Sequence, residues 1–257
     1  IFFGAGAYTS TLLFRHAGLT PWLGMLAGAL VAVLLSQAIG IPVFRLRGHY
    51  FAIATIALGE IVQTLVINWD WAGGARGVFL PITRPDSLAN FQFHDARAFY
   101  YYIALGLLLL ALAVTTLVER SRRGYYFRAI REDQDAAASL GVHVAREKRW
   151  AIAVSAALTA MAGTFYAQYT LFIDPESVFP LSLSILICLV AVLGGVGTLW
   201  GPVLGAAVLV PLSEGTRVML GGGGKAIDLL VYGALIMLIA VFQPSGLVGL
   251  AHRFRRS

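Results

Sequence analysis

Apolar residues in this chain come in long blocks, and several blocks are as long as a lipid bilayer is thick. The hydrocarbon core is about 30 Å across, which takes roughly 20 residues of helix to span. Such blocks run over residues 21–44, 49–69, 98–118, 149–172, 181–198, 202–220 and 226–243, with a partial one at 2–14. Inside hydrocarbon every backbone N–H and C=O must be satisfied within the protein, so apolar runs of this length must be helices. The expected fold is all-α: a single polytopic transmembrane helical bundle over 1–257, with about seven to eight membrane segments. Residues 2–14 reach only about 20 Å as a helix, and the expectation is that residues ahead of Ile1 complete that segment. The opening has neither a charged stretch nor a small-residue cleavage site, so it does not read as a signal peptide.

Composition closes the soluble alternative. Charged residues are 12% and hydrophobic residues 58% of the chain, against about 25% charged in ordinary globular domains. The net charge of +6 does not imply nucleic acid, because the basic residues lie in short connections and form no continuous basic face. The single cysteine, Cys188, sits in an apolar run and excludes an internal disulfide or a cysteine metal site. Five histidines show no ligand spacing, so no metal site is expected.

Lys and Arg set the orientation. With the polar stretch 119–148 in the cytoplasm, thirteen of the 19 basic residues fall inside and six outside, the usual cytoplasmic excess. Arg45, Arg47, Arg253, Arg255 and Arg256 join the inside set, so the C-terminus is expected in the cytoplasm. Small residues recur at helical spacing, as in Gly24/Gly28, Gly201/Gly205 and Ala156/Ala160. In lipid they let helix backbones approach closely, and tight packing is their expected role.

The longest charged stretch carries the most information. In Gly124–Gly141 the residues Arg128, Arg131, Glu132, Asp135 and Ser139 follow one helical face, with Tyr126, Phe127, Ile130, Ala137 and Ala138 on the other. A short cytoplasmic amphipathic helix is expected at about 124–141. Its mixed charges suit a protein partner better than a lipid surface; a solvated loop helix fits the periodicity equally well.

The run Asp135-Ala-Ala-Ala-Ser-Leu-Gly141 resembles the coupling loop of binding-protein-dependent ABC importers, with Asp135 where glutamate is usual. Three more stretches resemble the branched-chain amino acid permeases of that class, M-type (LivM-like): Leu46 to Ile61, Phe172 to Ser177, and Leu193 to Gly205. The opening Phe2 to Tyr8 also resembles a stretch of that family. The resemblance implies a permease of the bacterial plasma (inner) membrane that moves leucine, isoleucine and valine and has no ATPase activity of its own. It implies three kinds of partner besides membrane lipid: a second, H-type permease subunit, two ATP-binding subunits that hold ATP and Mg, and a periplasmic substrate-binding protein. No cofactor is expected in this chain. Arg128, Arg131, Glu132, Asp135, Ala136, Ala137 and Gly141 would couple it to the ATPase. Urea, amides or other amino acids remain alternative cargoes within the class. A proton-coupled secondary transporter is the alternative outside it.

Glu60 lies deep in an apolar segment, where a charge costs roughly 2.5–3.5 kcal/mol. Gln63, Thr64 and Asn68 extend it into one polar stripe at helical spacing. The stripe either lines a translocation path or forms an interhelical hydrogen-bond network. Gly194, Gly195, Gly197 and Gly201 read as a tight turn between two spanning segments. The run ending at Gly224-Lys225 is not a phosphate loop, because Met219 and Ala226 stand where Gly and Ser/Thr are required. Asp174-Pro-Glu-Ser177, placed outside, is either a helix-connecting turn or a contact for a docking protein.

Overall fold

The structure, a computed structural model, describes residues 1–44, 46, 48–81, 90–93 and 98–219. Its helices are α1 (Phe2–Ala17), α2 (Pro21–Val43), α3 (His49–Ile67), α4 (Ala98–Arg120), α5 (Arg122–Glu132), α6 (Gln134–Ser139), α7 (Val144–Thr170), α8 (Pro175–Val178), α9 (Leu181–Gly194) and α10 (Gly201–Met219). Among the described residues the architecture is otherwise two 3-10 turns (Asp70–Ala72, Gly74–Arg76) and one pair of two-residue strands, β1 (Val78–Phe79) and β2 (Phe172–Ile173).

The expected seven to eight membrane segments are corrected to five among the described residues: Pro21–Val43, His49–Ile67, Ala98–Arg120, Val144–Thr170 and Pro175–Gly194. The reasons are local. The 16 residues of α1 rise about 24 Å, short of the bilayer core. In α10 the apolar part is Gly201–Leu212, because Ser213, Glu214 and Arg217 interrupt the run that composition had joined. The expected segment 226–243, the glycine run before Lys225, Arg45, Arg47 and the C-terminal arginines lie outside the described residues.

The chain divides into two compact units, Ile1–Leu181 and Ser182–Ser257. In the first, α1, α2 and α7 meet backbone to backbone. A Cβ on Gly6 would fall on the Ala160 carbonyl, and one on Gly163 on the Phe3 carbonyl. A Cβ on Gly28 would lie 3.1 Å from the Gly6 Cα, and one on Gly24 3.0 Å from the Ser10 Cα. Ala32, Ala156 and Ala160 are fully buried at the same contact. Small residues here replace the hydrophobic effect with close van der Waals packing. The Thr164 hydroxyl, which donates to the Gly6 carbonyl at 3.1 Å, fixes the register of α7 on α1.

The turn from α1 to α2 follows from sequence: Gly18 takes the left-handed conformation (φ 62°) and Pro21 opens the next helix. At the far end of α7, β2 pairs antiparallel with β1, Val78 opposite Ile173 and Phe79 opposite Phe172. Val78 and Ile173 join Ala7, Tyr8, Ala167 and Phe179 in one buried apolar cluster. The pairing needs glycine at Gly77 (φ 72°), where a Cβ would lie 2.5 Å from the Ile173 carbonyl. By contrast α3 buries none of its residues and α4 only Tyr100. In the second unit a Cβ on Gly205 of α10 would collide with the Val190 carbonyl of α9.

Candidate functional site

The segment expected as one helix over about 124–141 is two helices. The break comes at Asp133, whose backbone is extended (φ −154°, ψ 120°). Its carboxylate accepts hydrogen bonds from the N–H groups of Asp135 (2.8 Å) and Ala136 (3.0 Å), capping α6. These two donors hold the Asp133 carboxyl below the usual carboxylate range. Arg128, Arg131 and Glu132 therefore belong to α5, and Asp135 and Ser139 to α6, on two separate axes.

The other end of α6 is closed equally firmly. Gly141 is left-handed (φ 86°). The N–H of Val142 reaches the Ala137 carbonyl at 3.1 Å and that of Gly141 the Ala138 carbonyl at 2.9 Å, a Schellman closure. Gly141 is thus required by backbone conformation, since a Cβ there would meet nothing within 4 Å. Ala137 is buried, whereas Arg128, Arg131, Glu132, Asp135 and Ala136 are exposed. Leu140, which the periodicity did not single out, leaves 85% of its surface exposed at the tip. Its signal in the sequence is the Leu-Gly pair that ends a helix.

Side-chain contacts fasten this element to α4 and α7. The Arg128 guanidinium pairs with Glu119 of α4 at 2.7 Å. The Arg123 guanidinium lies 3.6 Å above the ring of Trp150 in α7. Lys148 of α7 donates to the Gln134 side chain at 2.8 Å. In the same turn of α7, Glu147 is buried, with Arg146 3.8 Å away. The positive end of the helix dipole favours a carboxylate there.

The polar stripe is arranged differently. Glu60, Thr64 and Asn68 are exposed and Gln63 is partly buried, so among the described residues nothing buries the Glu60 side chain. Asn68 donates its side-chain amide to the Thr64 carbonyl at 2.8 Å and closes the end of α3. Between α9 and α10, Gly195 (φ 125°) and Gly197 (φ 78°) take conformations that disfavour other residues. A Cβ on Gly194 would strike the Gly201 carbonyl, and Thr198 donates to the Gly195 carbonyl at 2.8 Å. Asp174 and Ser177 form a capping box on α8, which accounts for both residues without a partner.

The family model described as "Branched-chain amino acid transport system / permease component" matches residues 1–240. The high-affinity branched-chain amino acid transport system permease protein LivM of Salmonella typhimurium is 34% identical over 96% of this chain and 62% of its own length. LivM of Escherichia coli is 34% identical with the same coverage. LivH of Escherichia coli is 26% identical over 90% of this chain and 76% of its own length. The chain therefore spans less than two thirds of the length of these two LivM proteins. No solved structure matches it.

Proposed function

The chain belongs to the family of branched-chain amino acid transport system permease components, and on that premise we propose that it is the M-type permease subunit of an ATP-driven importer of leucine, isoleucine and valine. It makes and breaks no bonds of its own; it is a conduit and a lever. Both compact units act as one permease domain in the bacterial plasma membrane, with the C-terminus in the cytoplasm. An H-type permease is its partner across the path, two ATP-binding subunits hold ATP and Mg, and a periplasmic binding protein delivers the amino acid.

The observation that carries this reading is the α5–α6 element. A six-residue helix capped at both ends, showing Leu140 outward, has the form of a plug for a cleft in another protein. Its fastenings to α4 and α7 make it a handle on the membrane helices. Closure of the ATP-binding subunits would push on Leu140, Ala136 and the charges of Arg131, Glu132 and Asp135. Glu60 and its stripe would line the path shared with the second permease, because a bare carboxylate on α3 cannot face lipid cheaply.

The test is reconstitution in vesicles. With the second permease, the ATP-binding subunits and the binding protein, labelled leucine enters only when ATP is supplied. Leu140→Asp leaves the chain in the membrane and abolishes both ATP-driven uptake and co-purification of the ATP-binding subunits. Uptake by this chain alone under a pH gradient overturns the proposal.

A further inference from the structure

Two cavities lie end to end between α4 and α7, sharing Leu158 as a common wall. The first, about 340 Å³, runs past Phe127, Val118 and Ser155 and has Arg123 and Trp150 in its lining. The second, about 290 Å³, continues past Leu107, Leu108 and Met161 to Phe165. Together they follow α4 from Ala104 to Val118 and α7 from Trp150 to Phe165, about 21 Å of helix. That exceeds the roughly 15 Å of hydrocarbon in one leaflet.

The ends of this groove differ in chemistry. Its upper length is hydrocarbon, while its lower end carries Arg123, with Arg120 and Arg122 exposed on either side of Ser121. The nearby carboxylate, Glu119, is engaged by Arg128, so the positive charge at this end is not cancelled locally. The Arg123 guanidinium lies over the Trp150 ring, a cation–π contact that consumes no hydrogen-bond donor of its own. Tyr125 and Tyr126 are exposed beside it, as aromatic side chains are at the level of lipid headgroups.

We propose that the α4–α7 groove is a binding site for an anionic phospholipid of the cytoplasmic leaflet, with its acyl chain along Phe127, Leu158 and Leu107 and its phosphate at Arg123. A long apolar groove with uncompensated arginines at the headgroup level matches both halves of such a molecule. Occupancy would set how far α4 stands from α7, and hence the geometry of the Arg128–Glu119 and Arg123–Trp150 fastenings.

The experiment is native mass spectrometry of the full chain purified in mild detergent, alone and with its associated subunits, after titration with phosphatidylglycerol or phosphatidylcholine. The expected result is retention of one phosphatidylglycerol in preference to phosphatidylcholine. Arg123→Gln reduces that preference about fivefold, the effect of one cation at a headgroup, and Arg123→Lys keeps most of it. Leu158→Trp, which fills the groove, removes the adduct for both lipids, while Leu117→Trp on the exposed side of α4 does not. Equal retention of both lipids by the unaltered chain overturns the headgroup assignment. An undiminished adduct in Leu158→Trp overturns the groove. Cross-linking of Leu108→Cys to another subunit, in place of lipid, overturns the occupant.

Discussion

Arg123 stacks its guanidinium on Trp150 at 3.6 Å, joining the first turn of α5 to the second turn of α7. Such a contact stabilises by about 0.5–1 kcal/mol when exposed and more when desolvated. Like the Lys148–Gln134 hydrogen bond, it ties the α5–α6 element to α7 of the three-helix core.

Trp150→Ala is expected to leave the amount of protein in the membrane unchanged and to lower uptake per ATP hydrolysed, severalfold by that energy. Trp150→Phe, which keeps an aromatic face, restores most of the loss. Coupling ratios measured in reconstituted vesicles decide the matter; a ratio unchanged in Trp150→Ala removes the contact from the transmission route.

Asp133→Ala is expected to fray α6, and Asp133→Asn, which still accepts from the same N–H groups, to leave it intact. Amide hydrogen exchange over residues 134–142 reads the difference. Because the folded carboxyl titrates below its ordinary value, its contribution is complete above the usual carboxylate range and is lost as pH falls through the depressed value. Protection of these amides, corrected for intrinsic rates, should therefore fall on acidification in the unaltered chain and stay flat in Asp133→Asn.

Gly6→Leu places a side chain on the Ala160 backbone and is expected to cost about 1–3 kcal/mol or to block insertion. The thermal midpoint in detergent falls, or the membrane yield does. Gly59→Ala, where a Cβ would meet nothing within 4 Å, is the matching control and should not destabilise.

Glu60→Gln is expected to reduce transport while the chain still assembles with its partners, as a residue lining the path would. Initial uptake rates and co-purification separate the two effects. Full activity with intact assembly assigns Glu60 to an interhelical contact instead.

Much of the bundle was legible. The apolar runs marking α2, α3, α4 and α7 end where charge or glycine begins, and Gly24 with Gly28, like Ala156 with Ala160, marks a packing face. Where legibility failed, a local hydrogen bond outweighed periodicity. The charged face from Arg128 to Ser139 continues at helical spacing through Asp133, so no pattern announces that its side chain caps a new helix. Apolar composition continues into stretches, such as the end of α10, whose length and polar residues do not suit a bilayer, so composition alone suggests more spans than the described residues hold. Pairing of β1 with β2 rests on two residues from each strand, too few to leave an alternating pattern. The burial of Ala137 and exposure of Leu140 follow from the direction α6 takes after its break, which is a tertiary property.

A helix of only six residues would not persist in water by itself; α6 does so because both of its ends are tied off from within. Whatever receives it meets a finished shape, and association forfeits no disorder in that segment. If α6 is the contact proposed above, a partner could pull on it repeatedly with little energy spent on refolding the segment.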